Sequence, residues 1–219
     1  MGKIETIMKN LRRRYEVGAF PGKTAGNSLQ KEMRHPYRVL ISTILSHRTK
    51  DENTHRASSN LFAKYPTVQD VAGAPLKEIE RLIRPSGFYR VKARRIREVS
   101  RTLLKEYGGK VPRDFDKLVS LPSVGRKTAN CVLVYAFGEP AVPVDVHVHK
   151  IANRIGLVDT QTPEQTEEEL IRIVPRKYWL ELNELFVRFG QDICRSVRPK
   201  CEVCDFNSFC GYCQNRRGK

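Results

Sequence analysis

The tail of the chain sets the tightest constraint. Between Cys194 and Cys210 it reads CRSVRPKCEVCDFNSFC, a Cys-x6-Cys-x2-Cys-x5-Cys spacing, and Cys213 follows. Thiols this close in sequence can converge on one centre without a large core to place them. Four thiolates suit tetrahedral zinc, and they equally suit a [4Fe–4S] cluster. The usual zinc ribbon sets two Cys-x2-Cys knuckles across a longer spacer. Here Cys201 and Cys204 form one knuckle, Cys194 stands at the end of a helical pattern, and Cys210 with Cys213 offers a second. Spacing alone leaves both metals open. Disulfides are disfavoured, because no signal-peptide core opens the chain and clustered thiols in a reducing compartment more often hold metal. Cys131 lies apart in an apolar helical run and reads as a small buried hydrophobe.

The chain is strongly basic, with 40 Lys and Arg against 24 Asp and Glu, a formal net charge of +16. Heat-adapted surfaces usually balance both signs, so the excess points to a polyanion, and nucleic acid is the expected partner. No apolar run is long enough to cross a bilayer. We expect a cytoplasmic, nucleoid-associated monomer with no membrane role. MGKIET matches the loose myristoylation pattern through Gly2 and Thr6, but IETIMKNLRRRYE reads more simply as an amphipathic helix with Ile4, Ile7, Met8 and Leu11 on one face.

The remaining pattern is helical almost throughout, which predicts an all-α fold. Pro36 suits a first helical turn. Thr49 and Glu52 are spaced as a capping box, as are Thr162 and Gln165, and Asp114 is a candidate cap. Pro85 with Gly87 stops one helix, and Gly108 with Gly109 closes a longer one. GRKTANCVLVYAFG is apolar on most faces and is expected at the centre. AVPVDVHVHK alternates over a few residues and suits either an extended segment or a helix start.

LPSVGRKTAN carries a second signal. A tight turn at Ser123-Val124-Gly125 separates two helical runs, and amides at such a turn can take a phosphate oxygen whatever the base sequence. Gly125 lets backbone approach closely. An ordinary αα turn has the same shape. Lys127 falls in the first turn of the second helix, where the helix dipole and Arg126 disfavour an ammonium and favour a nucleophilic amine. Asp145, in PVDVHVH, is a carboxylate able to assist a leaving base. Taken singly, a lysine there is more often a phosphate contact and the aspartate a helix cap. Arg195, Arg198 and Lys200 lie between the first two clustered cysteines, placed to meet a phosphate backbone or to balance an anionic cluster. His147 and His149 form an H-x-H pair without an evident third ligand and read as structural. RVKARRIREVSR looks like a solvated basic face whose first residues, Arg90 and Lys92, are candidates for phosphate contact.

Together, LPSVGRKTAN, VDVHVHKIANR and the cysteine spacing, in that order, resemble the endonuclease III family, the iron–sulfur branch of the helix–hairpin–helix DNA glycosylases. LSHRTKD and GFYRVKA fall where that family has related segments, and the resemblance spans roughly residues 30–210. It implies a six-helix barrel with the helix–hairpin–helix motif over 29–137, and a second helical domain from 1–28 and 138–219 that carries a [4Fe–4S] cluster on Cys194, Cys201, Cys204 and Cys210. The resemblance places the active site at a groove between the two. It implies a bifunctional glycosylase and AP lyase of base excision repair, acting on double-stranded DNA with damaged bases or AP sites. Oxidised or saturated pyrimidines of the thymine glycol type are its expected substrates, with Lys127 as Schiff-base nucleophile and Asp145 as its partner. Arg48, Phe88, Lys92, Ser123, Gly125, Arg126, Thr128, His147, Arg195, Arg198 and Lys200 are then the expected DNA contacts. Ser123 replaces the hairpin's usual first glycine, so the turn is expected to avoid positive φ there. Arg48 stands where many bacterial members have a gap-filling glutamine, and Phe88 where they often have a wedging leucine. Cys213 is an extra thiol able to compete with Cys210. Two rivals are a monofunctional uracil or thymine mismatch glycosylase, against which Lys127 argues, and a non-catalytic DNA-binding protein with a zinc ribbon.

Overall fold

In a computed structural model, residues 2–15 and 35–217 are described. The first residues of the expected barrel, 29–34, lie outside that set. The expected all-α class holds: among the described residues every regular element is helical. The chain divides into two compact units, one of Ala25–Glu139 and one that joins Met1–Thr24 to Pro140–Lys219.

Helices are numbered in chain order: α1 Lys3–Tyr15, α2 Pro36–Ser46, α3 Asp51–Lys64, α4 Val68–Gly73, α5 Leu76–Leu82, α6 Tyr89–Tyr107, α7 Phe115–Ser120, α8 Arg126–Phe137, α9 Val146–Ile155, α10 Pro163–Ile173, α11 Trp179–Asp192 and α12 Gly211–Arg217; α2 to α8 belong to the 25–139 unit. In this unit α2 packs on α8, and α6 on α4 and α5. Both α2 and α8 are buried on most faces, α2 through Val39, Leu40, Ile41, Ile44 and Leu45, and α8 through Ala129, Cys131, Val132 and Val134. The local signals explain the boundaries. Pro36 opens α2 with the φ a first turn needs. Asp114 accepts from the amide of Lys117 at 2.9 Å to start α7. Gly108 at φ 58 ends α6. A full capping box at Thr67 and Asp70 starts α4.

The expected capping box at Thr49 and Glu52 does not form. Lys50 is the N-cap of α3, with no side-chain cap, because the Thr49 hydroxyl is taken by long-range partners at Ser86 and Lys92.

In the other unit, α1 presents Ile4, Ile7, Met8 and Leu11 as its buried face, burial that stabilises by about 2 kcal/mol per fully buried side chain. The helix packs on α11, and α9 packs on α10, α11 and α12. Phe186, Phe189 and Phe206 fill the centre. Thr162 and Gln165 form the expected capping box of α10. The alternating segment after Val144 resolves as helix, since Asp145 Oδ1 accepts from the amides of both His147 and Val148 at 2.9 Å. Arg12 binds both carboxylate oxygens of Glu181, whose side chain is almost fully buried. Arg12→Ala strands that carboxylate in an apolar layer. It should cost about 3 kcal/mol, read as a lower urea midpoint, with Arg12→Ala/Glu181→Leu recovering much of the loss.

Candidate active site and cysteine loop

The hairpin is built as its sequence suggests. α7 ends at Ser120, the amide of Val124 returns to the carbonyl of Leu121 at 3.2 Å, and α8 starts from Gly125 with no side-chain cap. A Cβ on Gly125 would meet no atom of the described residues within 4 Å, and its φ of −95 is open to any residue, so none of these contacts demands glycine there. Ser123, however, sits at φ 64. The turn does not avoid the left-handed region, as its serine suggested; the hairpin geometry is kept and the serine bears the strain. Lys127 is half-buried in the first turn of α8. The exposed guanidinium of Arg126 lies over the Phe115 ring, 5.1 Å from its centroid.

Non-glycine residues with positive φ, among the described residues, are Arg48 at 51, Phe88 at 48, Ser123 at 64 and Arg198 at 50. All four were expected to meet DNA. Each conformation costs an L-residue about 1–2 kcal/mol, and such outliers collect where a surface has been shaped for function. Arg48 is exposed, and Phe88 is 65% exposed at the start of α6.

Two expected DNA contacts point inward instead. Lys92 is buried; its Nζ donates to Leu45 O at 2.6 Å, Ser86 O at 2.7 Å and Thr49 Oγ1 at 2.7 Å. All three donors are spent inside the unit, so Lys92 does not offer its ammonium to a phosphate. Burial, helped by the charge of Arg95, lowers its pKa to about 8. Thr128 is buried as well, and its hydroxyl shares a 3.2 Å hydrogen bond with His47 Nε2. The sequence reading passed over His47. Burial, then the nearby charges of Lys127, Lys92 and Arg95, lower its pKa to about 4, so at neutral pH a neutral imidazole braces the turn that carries Lys127.

In the other unit, Asp145 is half-buried as the N-cap of α9. The two histidines diverge. His149 Nδ1 bonds Thr166 Oγ1 at 2.6 Å, while His147 packs on Gly190, where an added Cβ would lie 2.9 Å from its Cγ. They form no shared metal site, in keeping with a structural role.

The clustered cysteines share the unit's core with Phe189, Phe206 and Phe209. Arg154 Nη1 lies 3.6 Å from Cys194 Sγ and donates to Arg195 O at 2.8 Å, and Cys210 Sγ donates to Arg154 O at 3.2 Å. Burial raises the pKa of Cys194, raises that of Cys204 to about 11, and raises that of Cys213, which bonds both Cys201 and Cys210. As they stand, no three His, Cys, Asp or Glu side chains among the described residues form a ready metal group. The donor set nevertheless fits a metal centre: soft sulfurs gathered in an apolar layer, with the Arg154 guanidinium to offset anionic thiolates. On the connecting loop Arg195 and Arg198 are exposed, Arg195 Nε donates to Gln191 O at 3.2 Å, and Lys200 pairs with Asp192 at 3.3 Å.

Two measurements test this geometry. An unfolded chain protonates His47 near 6.5 and the folded one near 4, so stability is present above pH 6.5 and is lost as pH falls through that window. The loss is on the order of 3 kcal/mol, and His47→Gln should flatten that part of a stability–pH curve. Ser123→Gly should be neutral or stabilise by up to about 1 kcal/mol, whereas Ser123→Val should destabilise by about 2 kcal/mol, both from denaturant midpoints.

Comparison with known proteins agrees with this reading. Residues 41–176 match the model of the HhH-GPD superfamily of base excision DNA repair proteins. Endonuclease III of Thermotoga maritima is 50% identical over 184 residues, covering 84% of this chain and 86% of that protein. A non-covalent endonuclease III–DNA complex superposes with a TM-score of 0.86 at 35% identity, covering 100% of both chains. A trapped endonuclease III–DNA covalent intermediate superposes with 0.84 at 34% identity, covering 99% of this chain and 100% of that one. With a solved DNA-bound counterpart along its whole length and a curated relative half identical to it, the chain belongs to the endonuclease III family, within the HhH-GPD superfamily.

Proposed function

We propose that this protein excises oxidised or saturated pyrimidines, thymine glycol among them, with Lys127 as the attacking amine and Asp145 as its carboxylate partner. Its family makes it a base excision repair DNA glycosylase and AP lyase. The observation that carries the assignment is the half-buried Lys127 in the first turn of a helix that starts from an uncapped, outward-facing hairpin. The covalent DNA intermediate trapped with a 34% identical endonuclease III supports covalent chemistry here.

The chemistry follows from those groups. Hairpin amides take the phosphate backbone of one strand, and the damaged base leaves the stack, most easily where saturation has weakened stacking. The Lys127 amine attacks the sugar C1′ as the base departs with the bonding electrons. Asp145 draws off the amine proton and balances the positive charge on the sugar. The ring opens to a protonated imine between Lys127 and C1′. Loss of a C2′ proton then expels the 3′ phosphate by β-elimination, and water releases the lysine. Cys194, Cys201, Cys204 and Cys210 would hold a [4Fe–4S] cluster, whose contribution is to pin the loop that turns Arg195 and Arg198 outward.

The test is borohydride trapping on duplex DNA carrying thymine glycol. We expect a covalent adduct with the wild-type protein, none with Lys127→Ala, and a loss of about 100-fold in single-turnover rate with Asp145→Asn. Base release without an adduct would identify a monofunctional enzyme, and binding alone a non-catalytic DNA-binding protein. The purified protein should be yellow-brown and should bleach when iron is chelated under oxidation; a colourless zinc-loaded protein would overturn the cluster assignment.

A further inference from the structure

A buried ammonium with only neutral partners is costly to keep, and Lys92 is one. The groups it holds explain its place. Leu45 O belongs to the last turn of α2, among the carbonyls a helix end leaves without an internal partner, and the chain passes from there to Arg48. Ser86 O closes the turn Arg84–Ser86 just ahead of Phe88. Thr49 Oγ1 accepts from Lys92 and stands within reach of both His47 O, at 3.1 Å, and Ser86 O. His47 then continues the chain of bonds to Thr128, beside Lys127. One ammonium thus ties together the two segments whose next residues, Arg48 and Phe88, take left-handed backbone conformations.

We infer that Lys92 is a positioning residue for base extrusion: by gripping the backbone on both sides it holds Arg48 and Phe88 at a fixed separation, so that they enter the duplex as one rigid pair. This rests on the reading of those two residues as DNA contacts. Lys92 itself touches no DNA. Its removal relaxes the two segments independently, and small displacements of groups that must act together are expensive in rate.

The experiment compares two steps in the same variants: single-turnover excision of a paired thymine glycol, with an adjacent 2-aminopurine reporting extrusion, and borohydride trapping at a preformed AP site. For Lys92→Met, excision and the 2-aminopurine signal should fall by about tenfold or more, while trapping stays within about threefold of wild type. Equal losses in both assays would mean general destabilisation, and no loss in either would mean no positioning; each overturns the inference. If Lys92→Met does not fold, Thr49→Val, which removes the shared hydroxyl, is judged by the same ratio of the two losses. Phe88→Ala and Arg48→Ala separate the two readings. If they are impaired in excision while Lys92→Met is not, only this inference fails. If they excise like wild type, the assignment of the DNA contacts fails first.

Discussion

Among the described residues of the 25–139 unit, Arg48, Phe88 and Ser123 hold left-handed backbone that would ordinarily fall to glycine, and the geometry of its exposed loops depends on their staying there. Strain of this kind persists only where the surroundings over-determine it. At Ser123 the brace is the short return of Val124 to Leu121 and the start of α8. At Phe88 it is the start of α6, whose Val91 and Lys92 amides both return to the Phe88 carbonyl, at 3.0 and 3.1 Å. At Arg48 the bonds of Thr49 and Lys92 close the corner. The exposed ring of Phe88 is thus aimed by backbone, with little packing of its own.

Charge is handled in two ways in the same chain. Arg12 and Lys200 are matched to carboxylates. Lys92 is not; its ammonium is matched to two backbone carbonyls and a hydroxyl, while burial, with the charge of Arg95, lowers its pKa to about 8. The excess of +16 remains for the surface, where it raises the local concentration of a polyanion and speeds encounter. Such a field carries no lesion specificity. Whatever discriminates among bases must have a fixed geometry, which a diffuse field lacks.

How far the sequence could be read follows from the range of the forces involved. Caps at Asp114 and Thr162 were legible because donor and acceptor lie within one turn. The face of α1 was legible from its period alone. Thr49 was misread because its hydroxyl prefers partners 37 and 43 residues away, which no local pattern reveals. Lys92 was misread for its charge, although its spacing to Ile96, Val99 and Leu103 puts it on the buried stripe of α6; periodicity was the better guide than residue type. At Ser123 the geometry of the hairpin outweighs a serine's avoidance of positive φ, and only the fold shows which prevails. His47 left a trace only in LSHRTKD, with nothing to mark its ring as turned toward Thr128.

The cysteine loop poses the opposite problem, since its clustered thiols were plain and the use of its cations was not. Once side-chain partners are known, the basic residues separate. Arg154 serves the loop from below, bonding Arg195 O and reaching the Cys194 sulfur, with its guanidinium stacked on Tyr212 at 4.2 Å from the ring centroid. Lys150 donates to Ser196 Oγ at 3.1 Å, and Lys200 is matched to Asp192. Those three hold the loop in shape or offset its sulfurs. Arg198 differs: it is exposed, on left-handed backbone, beside a Val197 that is 77% exposed. A cation needed only to balance buried thiolates would gain by lying over them. Arg198 is instead held outward, at a conformational cost, and so does not serve the buried sulfurs.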